Sequence, residues 1–204
     1  EAFDTPQAIL SYSGTGLTKL SQQYHEIIRE HICRGAYKHA KRPILINNWE
    51  ATYFNFNEEK ILKIAEQAQK LGIEMLVLDD GWFGKREDDN SGLGDWFVNE
   101  KKMNGSMAQL AEKIHKMGMK FGLWFEPEMI SEDSDLYRAH PDWAFAIPGR
   151  VPNHSRNQLV LDMTREDVRE YLLERLTTIV HDAKIDYVKW DMNRSVCDVY
   201  SHVA

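Results

Sequence analysis

Two cysteines in 204 residues are too few for a disulfide framework, and Cys33 and Cys197 stand at no metal-ligand spacing. A reducing compartment is the expectation, with the cytoplasm as its default. No block of lysine and arginine interrupts the sequence and the formal net charge is -7, so a phosphate-backbone partner is excluded on electrostatic grounds. The expected substrate is neutral or cationic. No apolar stretch reaches membrane-spanning length, and the opening Glu1-Ala2-Phe3-Asp4-Thr5 holds no basic stretch followed by an apolar run. Neither nucleic acid nor a membrane is an expected partner. The first residue is not methionine and the chain closes soon after its richest motif, which sets the expectation of an excised piece of a longer protein.

What is present is an ordinary globular composition, 43% hydrophobic and 28% charged, enough for one domain with a real core. Residues 7 to 13 read as a short strand before Gly14. From about Leu17 to Ile32 a helical spacing places Leu20, Tyr24, Ile27, Ile28 and Ile32 on one face, with Gly35 as the stop. His25, His31 and His39 have no carboxylate or cysteine at ligand spacing and are read as surface or packing residues. Residues 1 to 40 are taken as a strand-and-helix linker segment from a preceding domain and residues 41 to 204 as the unit built from repeated strands and helices.

From residue 43 onward, buried strands alternate with amphipathic helices. Residues 43 to 49 form the first strand, and Asn57 caps a helix with Ile61, Leu62, Ala65, Ala68 and Leu71 on its apolar face, ended by Gly72. Residues 74 to 78 run into Asp79-Asp80-Gly81-Trp82-Phe83. After a loop rich in Gly and Asp, Ser106 caps a helix closed by Gly118, and residues 120 to 125 empty into Glu126-Pro127-Glu128. A long connection, residues 130 to 161, is expected to be ordered and to include a short strand at 159 to 161. Thr164, with Asp167 at the third position, is expected to open the next helix in an acidic capping box, its stripe being Val168, Tyr171, Leu172, Leu176, Ile179 and Val180. The fourth strand, 186 to 190, reads as buried.

Repeated strand-helix units with apolar strands demand a parallel sheet, either doubly wound or rolled into a barrel. A dinucleotide-binding sheet should carry a glycine-rich turn after its first strand, where this chain has Asn47-Asn48-Trp49-Glu50. In a barrel the chemistry comes from the C-terminal ends of many strands, where Trp49, Asp79, Asp80, Trp124, Glu126, Lys189, Asp191 and Asn193 fall. The fold class expected is therefore α/β, a TIM-type (β/α) barrel of which about four of eight units are present, preceded by an N-terminal helix. Half a barrel leaves strands one and four as open apolar edges.

Carboxylates and aromatics around a neutral pocket suit carbohydrate: aromatic faces stack on the apolar side of a sugar ring, while carboxylates and a lysine take its hydroxyls. Asp191 lies two residues from Lys189 on the same side of a strand, and a neighbouring cation keeps a carboxylate ionised and fit to attack an anomeric carbon.

Four stretches, Trp49-Glu50-Ala51-Thr52-Tyr53-Phe54, Leu78-Asp79-Asp80-Gly81-Trp82-Phe83, residues 122 to 129 and Lys189-Trp190-Asp191-Met192-Asn193-Arg194, closely resemble the microbial α-galactosidases of glycoside hydrolase family 36. The resemblance implies a retaining double displacement at an α-galactosidic bond with Asp191 as nucleophile. It implies that Asp79 and Asp80 hold galactose hydroxyls, that Lys189 and Asn193 assist beside the nucleophile, and that Trp49, Trp124 and Arg156 line the sugar pocket. It implies no metal or organic cofactor. The family also carries a β-sandwich before the barrel, four further barrel units and a β domain after it, and takes its acid/base aspartate from the second half of the barrel. None of these is expected in this chain, and Asp198 is not assigned the acid role.

Blander readings apply to other residues. Trp82, Phe83, Phe97, Trp143 and Trp190 are as readily packing as sugar contacts, Glu126 and Glu128 as readily structural, and the run Lys85-Arg86-Glu87-Asp88-Asp89 a solvated loop. Two rival functions remain open: a divalent-metal enzyme using Asp79, Glu126, His154 and Asp191, and a non-catalytic half barrel that covers its edges by pairing with a second copy or with the rest of a parent chain.

Overall fold

The computed structural model describes residues 4–203, and the ends of the expected linker and catalytic spans, residues 1–3 and 204, lie outside the described residues. The backbone divides into two units, Glu1–Pro43 and Ile44–Ala204.

In the first unit the expected strand at 7 to 13 is absent. The segment is held by side chains instead, Tyr24 Oη donating to the Ile9 carbonyl at 3.1 Å and Ser11 Oγ to Gln23 Oε1 at 3.4 Å. Extended backbone without a partner strand does not become a sheet. Helix α1 (Leu17–Ile27) widens into one π-helical turn, Ile28–Ile32, closed by Cys33 N–H donating to the Ile28 carbonyl at 2.8 Å. Cys33 is already extended, so the helix ends before the expected stop at Gly35.

The second unit is an α/β layer arrangement. Strands β1 (Leu45–Asn47), β2 (Met75–Leu78), β3 (Lys120–Phe125) and β6 (Tyr187–Trp190) form one parallel sheet in the order β1-β2-β3-β6. The register sets Leu45 beside Met75, Val77 beside Gly122 and Trp124 beside Lys189. Parallel neighbours require crossovers, supplied by helices α3 (Glu58–Lys70), α5 (Met107–Lys116) and α7 (Glu166–Asp182). Short helices α2 (Trp49–Thr52) and α4 (Glu100–Met103) follow β1 and the acidic loop. The long connection is ordered: β4 (Met129–Ile130) pairs antiparallel with β5 (Leu159–Val160), with α6 (Asp135–Ala139) and a 3-10 turn, Pro141–Trp143, between them.

Local signals explain most boundaries. Asn57 Oδ1 accepts the Lys60 N–H at 3.0 Å, and Ser106 and Gln109 close a reciprocal capping box on α5. The box expected on α7 is not formed. Thr164 Oγ1 is committed to Asp162 Oδ1 at 2.5 Å, Asp167 forks onto Arg165, and Arg165 itself takes the N-cap position. Ile61, Ala65 and Ala68 of α3 are buried as read, but Leu71 falls at the C-cap and is exposed.

β2 and all but the first residue of β3 are buried, whereas β1 and β6, read as buried strands, lie at the two edges and are half open to solvent. Among the described residues no further strand pairs with either edge. Trp190 on β6 is 58% exposed for that reason. At the centre, Gly122 is tightly enclosed: a Cβ there would meet Val77 Cγ2 and Tyr187 Cδ1 at 3.0 Å, so neighbours on both sides of β3 require its missing side chain. Trp82, Phe83, Trp96, Trp124 and Phe125 pack together with ring centroids 4.5–6.2 Å apart, which settles Trp82 and Phe83 as core residues. Trp143 is also buried and lies against His140 and Tyr171, whereas Phe97 is exposed.

Candidate active site

Because all four strands point the same way, their C-terminal ends open on one rim, and side chains just beyond those ends meet across strands. Lys189 reaches from β6 past β3, and its Nζ donates to Asp79 Oδ2 at 2.7 Å. Asn47, at the end of β1, donates through Nδ2 to the same oxygen. Asn48 Oδ1 accepts the Asp79 N–H at 2.8 Å, and Asp79 Oδ1 accepts the Asp80 N–H at 3.0 Å. Asp79, just past β2, is thereby held from two other strands at once, β1 and β6. Gly81 turns the chain away at φ +99, where a Cβ would meet the Phe54 ring at 2.9 Å.

Asp80 has a partner that sequence reasoning placed elsewhere. Arg86, read as part of a solvated charge run, is 3% exposed and grips Asp80 with two nitrogens: Nε to Oδ1 at 3.0 Å and Nη2 to Oδ2 at 2.8 Å. Nη1 donates to the Ser91 carbonyl at 2.9 Å, and the guanidinium lies 5.5 Å from the Phe54 ring centre. Burial pushes the Asp80 carboxyl above its ordinary value, and the Arg86 fork limits that rise. Phe54 also stands edge-on to Trp49, with centroids 5.0 Å apart, so one aromatic links the Trp49 wall to the Arg86–Asp80 pair. The remaining charges of the run, Lys85, Glu87, Asp88 and Asp89, are exposed as expected.

Asp191 sits one residue past β6, its N–H continuing the ladder to the Phe125 carbonyl at 2.8 Å. Trp124 Nε1 and Asn193 Nδ2 each donate to Asp191 Oδ2 at 3.0 Å, and the Met192 N–H donates to Oδ1 at 3.0 Å. Partial burial works to raise this carboxyl, but the Trp124 and Asn193 bonds, the Lys189 charge and the Met192 N–H outweigh it and hold Asp191 below the ordinary carboxylate value. Lys189, expected to be the main cause, acts at longer range, since its ammonium is committed to Asp79. Oδ2 carries both side-chain donors, so Oδ1 keeps the freer lone pairs.

Behind Asp191 lies Glu126, 1% exposed, whose Oε1 accepts the Asn193 N–H at 2.6 Å and Gln158 Nε2 at 3.1 Å. Burial raises its pKa, and those hydrogen bonds restrain the rise. Arg194, also buried, donates to the carbonyls of Asn153 and Gln158 at 2.8 and 2.6 Å and so ties the 153–158 loop to the Asp191 turn. Arg156, on that loop, is exposed in a left-handed conformation (φ 54), and among the described residues no hydrogen bond or ion pair joins it to the cluster. Trp49, Asp79, Asp80, Trp124, Lys189, Asp191 and Asn193 are thus brought to one rim and Arg156 stands apart.

Asn47, Asn48, Arg86 and Gln158 are the residues the sequence reasoning missed. The paired asparagines at a strand end were a usable signal, whereas nothing in the linear pattern marks Arg86 or Gln158. Among the described residues, no three His, Cys, Asp or Glu side chains come together as a metal-holding group, and His154, a rival ligand candidate, is engaged with Glu132 at 3.0 Å.

The melibiase family model matches residues 2–204. The chain belongs to the melibiase family. The chain is 59% identical over 201 residues to the bifunctional alpha-galactosidase/sucrose kinase AgaSK of Mediterraneibacter gnavus, covering 98% of this chain but 22% of that protein. The GH36 alpha-galactosidase AgaA of Geobacillus stearothermophilus superposes at a TM-score of 0.92 with 53% identity, over 95% of this chain and 27% of that one. A variant of AgaA in complex with raffinose gives the same TM-score, identity and coverage. The chain therefore spans about a quarter of the length of such relatives.

The Asp191 setting makes a direct prediction. In this chain, Asn193→Ala is expected to move the Asp191 titration upward toward the ordinary carboxylate value of about 3.9, read by carbon NMR of labelled aspartate. A depressed folded pKa contributes stability above the unfolded value and loses it as pH falls through the folded one. The variant should accordingly lose less stability than wild type on acidification below about pH 4. An unmoved titration would remove Asn193 from the list of causes.

Proposed function

We propose that this chain supplies the first half of the (β/α) barrel of a retaining α-galactosidase that acts on terminal α-galactosides of oligosaccharides of the raffinose or melibiose type. The observation that carries the reading is Asp191: a carboxylate kept ionised by Trp124 and Asn193, on a rim shared with the clamped pair Asp79 and Asp80. In this reading Asp191 Oδ1 forms a bond to the anomeric carbon as the glycosidic C–O bond breaks, and the departing oxygen takes a proton from an acid outside these residues. Water then attacks the glycosyl-enzyme ester, giving up a proton to the same acid/base group and releasing Asp191. Asp79 and Asp80 accept from galactose hydroxyls, Lys189 and Asn193 assist beside the nucleophile, and Trp49 and Trp124 line the sugar, while Arg156, which stands apart from the rim, is assigned to the pocket by family resemblance alone. No metal or organic cofactor takes part.

Four parallel strands with open edges at β1 and β6, in a chain about a quarter as long as its relatives, support the half-barrel count. The apolar groove beside β6, lined by Phe125, Leu172, Leu176, Val188 and Trp190 among others, is then covered by the remainder of the full-length enzyme or, in the isolated chain, by a second copy. The retaining geometry calls for a second carboxyl about 5–5.5 Å from Asp191, and that partner is assigned to the remainder.

The test compares proteins. The full-length enzyme is expected to hydrolyse an aryl α-galactoside while the 204-residue chain stays at background rate. Robust turnover by the purified chain would overturn the missing-partner reading, and an inactive full-length protein would overturn the α-galactosidase reading itself.

A further inference from the structure

The turn that carries Asp191 is tethered twice. Its first residue is held by the last rung of the sheet, Asp191 N–H to the Phe125 carbonyl at 2.8 Å, and its third by Glu126, whose Oε1 accepts the Asn193 N–H at 2.6 Å. Asn193 in turn donates through its side chain to Asp191 Oδ2 at 3.0 Å. The second tether is unusual in kind, because a carboxylate 1% exposed is costly to bury and, among the described residues, Glu126 forms no ion pair with lysine, arginine or histidine. Its support is neutral: Gln158 Nε2 at 3.1 Å and the Asn193 N–H. Glu128, two residues on, differs: it is less buried and takes the Trp190 indole N–H at 3.0 Å. Burial also keeps Glu126 from meeting a leaving group or water, so direct acid/base chemistry is not open to it.

We propose that Glu126 is a positioning residue for Asp191: by accepting the Asn193 N–H it fixes the turn after β6, so that Asn193 holds Asp191 Oδ2 and leaves Oδ1 facing the sugar. The inference rests on the reading of Asp191 as nucleophile. Chemically it asks only that Glu126 present an acceptor at Oε1, and Gln158 orients that acceptor. Loss of the tether frees Asn193 to swing away, and a misplacement of about 1 Å at a reacting group costs on the order of 100-fold in rate.

The experiment uses the full-length enzyme with Glu126→Leu, Glu126→Gln and Gln158→Leu, following kcat and KM on an aryl α-galactoside and the Asp191 titration by carbon NMR. Glu126→Leu is expected to lower kcat about 100-fold with KM changed less than about threefold, and to move the Asp191 titration upward as Asn193 leaves it. Glu126→Gln keeps a carbonyl oxygen at the Oε1 position and should recover to within about fivefold of wild type. Should Glu126→Leu fail to fold, Gln158→Leu removes the orienting donor while sparing the carboxylate, and is expected to lower kcat about tenfold.

A Glu126→Leu kcat within threefold of wild type would overturn the proposal. So would a Glu126→Gln loss as deep as that of leucine, which would mean that the charge or proton of Glu126 is itself used. An Asp191 titration unmoved in a folded Glu126→Leu protein would reduce the residue to a structural one. A wild-type protein without α-galactosidase activity, in which Glu126→Leu still shifts the Asp191 titration and glutamine restores it, would sink the activity reading and uphold the coupling.

Discussion

Asp191→Ala in the full-length enzyme is expected to lower kcat by about 10⁴- to 10⁶-fold, the range for removal of a covalent nucleophile. The large size follows from the site. Asp191 is the carboxylate on the rim that combines an ionised state with freer lone pairs on one oxygen. Asp79 is clamped by Lys189 and Asn47, and Asp80 is forked by Arg86, so neither is free to attack in its place. In the proposed reading, the truncated side chain also vacates the space from which Asp191 attacks the anomeric carbon, and a small anion can fill it. Sodium azide should therefore restore part of the rate and give the β-configured galactosyl azide, since attack then comes once, from the face Asp191 occupied. The product is identified by proton NMR coupling at the anomeric position. Activity of Asp191→Ala within 100-fold of wild type, or an α-configured azide, would reject the nucleophile assignment.

The second large effect is on stability. Arg86→Met is expected to destabilise the 204-residue chain by about 3–5 kcal/mol, the cost of leaving one member of a buried ion pair without its partner. Both side chains are nearly enclosed, at 4% and 9% exposure for Arg86 and Asp80, so solvent cannot replace the lost fork. Part of that cost is avoided if Asp80 takes up a proton, and the loss should shrink as pH falls toward the raised Asp80 value. The double variant Asp80→Asn with Arg86→Met removes the orphaned charge and should recover a measurable share of the stability. Urea unfolding of the two variants at neutral and acidic pH reads all of this. A single-variant loss below about 1 kcal/mol would place the pair with ordinary surface ion pairs.

Legibility from the sequence divided along a physical line. The strand-end positions of Asp79, Asp80, Trp124, Lys189 and Asp191 were visible because apolar runs end abruptly in polar residues, and parallel strands must put those ends on one rim. The caps at Asn57 and Ser106 were visible because capping is local. The help that the Lys189 charge gives to Asp191 is legible, but its hydrogen-bond partner is not, because spacing along one strand shows only which residues share a face. It does not show that a long side chain crosses a neighbouring strand to Asp79. Arg86 was misjudged for a related reason. A charge run reads as solvated until the fold lays one member beneath a loop, and only the Phe54 ring and the Asp80 carboxylate around it reveal that it is inside.

The expected box on α7 failed because Thr164 had a nearer acceptor in Asp162, a choice no three-residue pattern encodes. Strands one and four read as buried from their own residues but as open edges once only four units are counted, and the second reading holds: β1 and β6 are the two edges of the sheet, because exposure follows from pairing partners and not from composition.

Taken alone, the sequence determined the alternation of strand and helix, the identity of the rim carboxylates and the membership carried by four long motifs, because each of these depends on residue type and short-range order. Tertiary structure alone decided who holds whom: Lys189 on Asp79, Arg86 on Asp80, Trp124 and Asn193 on Asp191, and Glu126 behind Asn193. Those contacts join residues up to 110 positions apart, and their energies come from burial and hydrogen-bond geometry that exist only once the parallel sheet has formed.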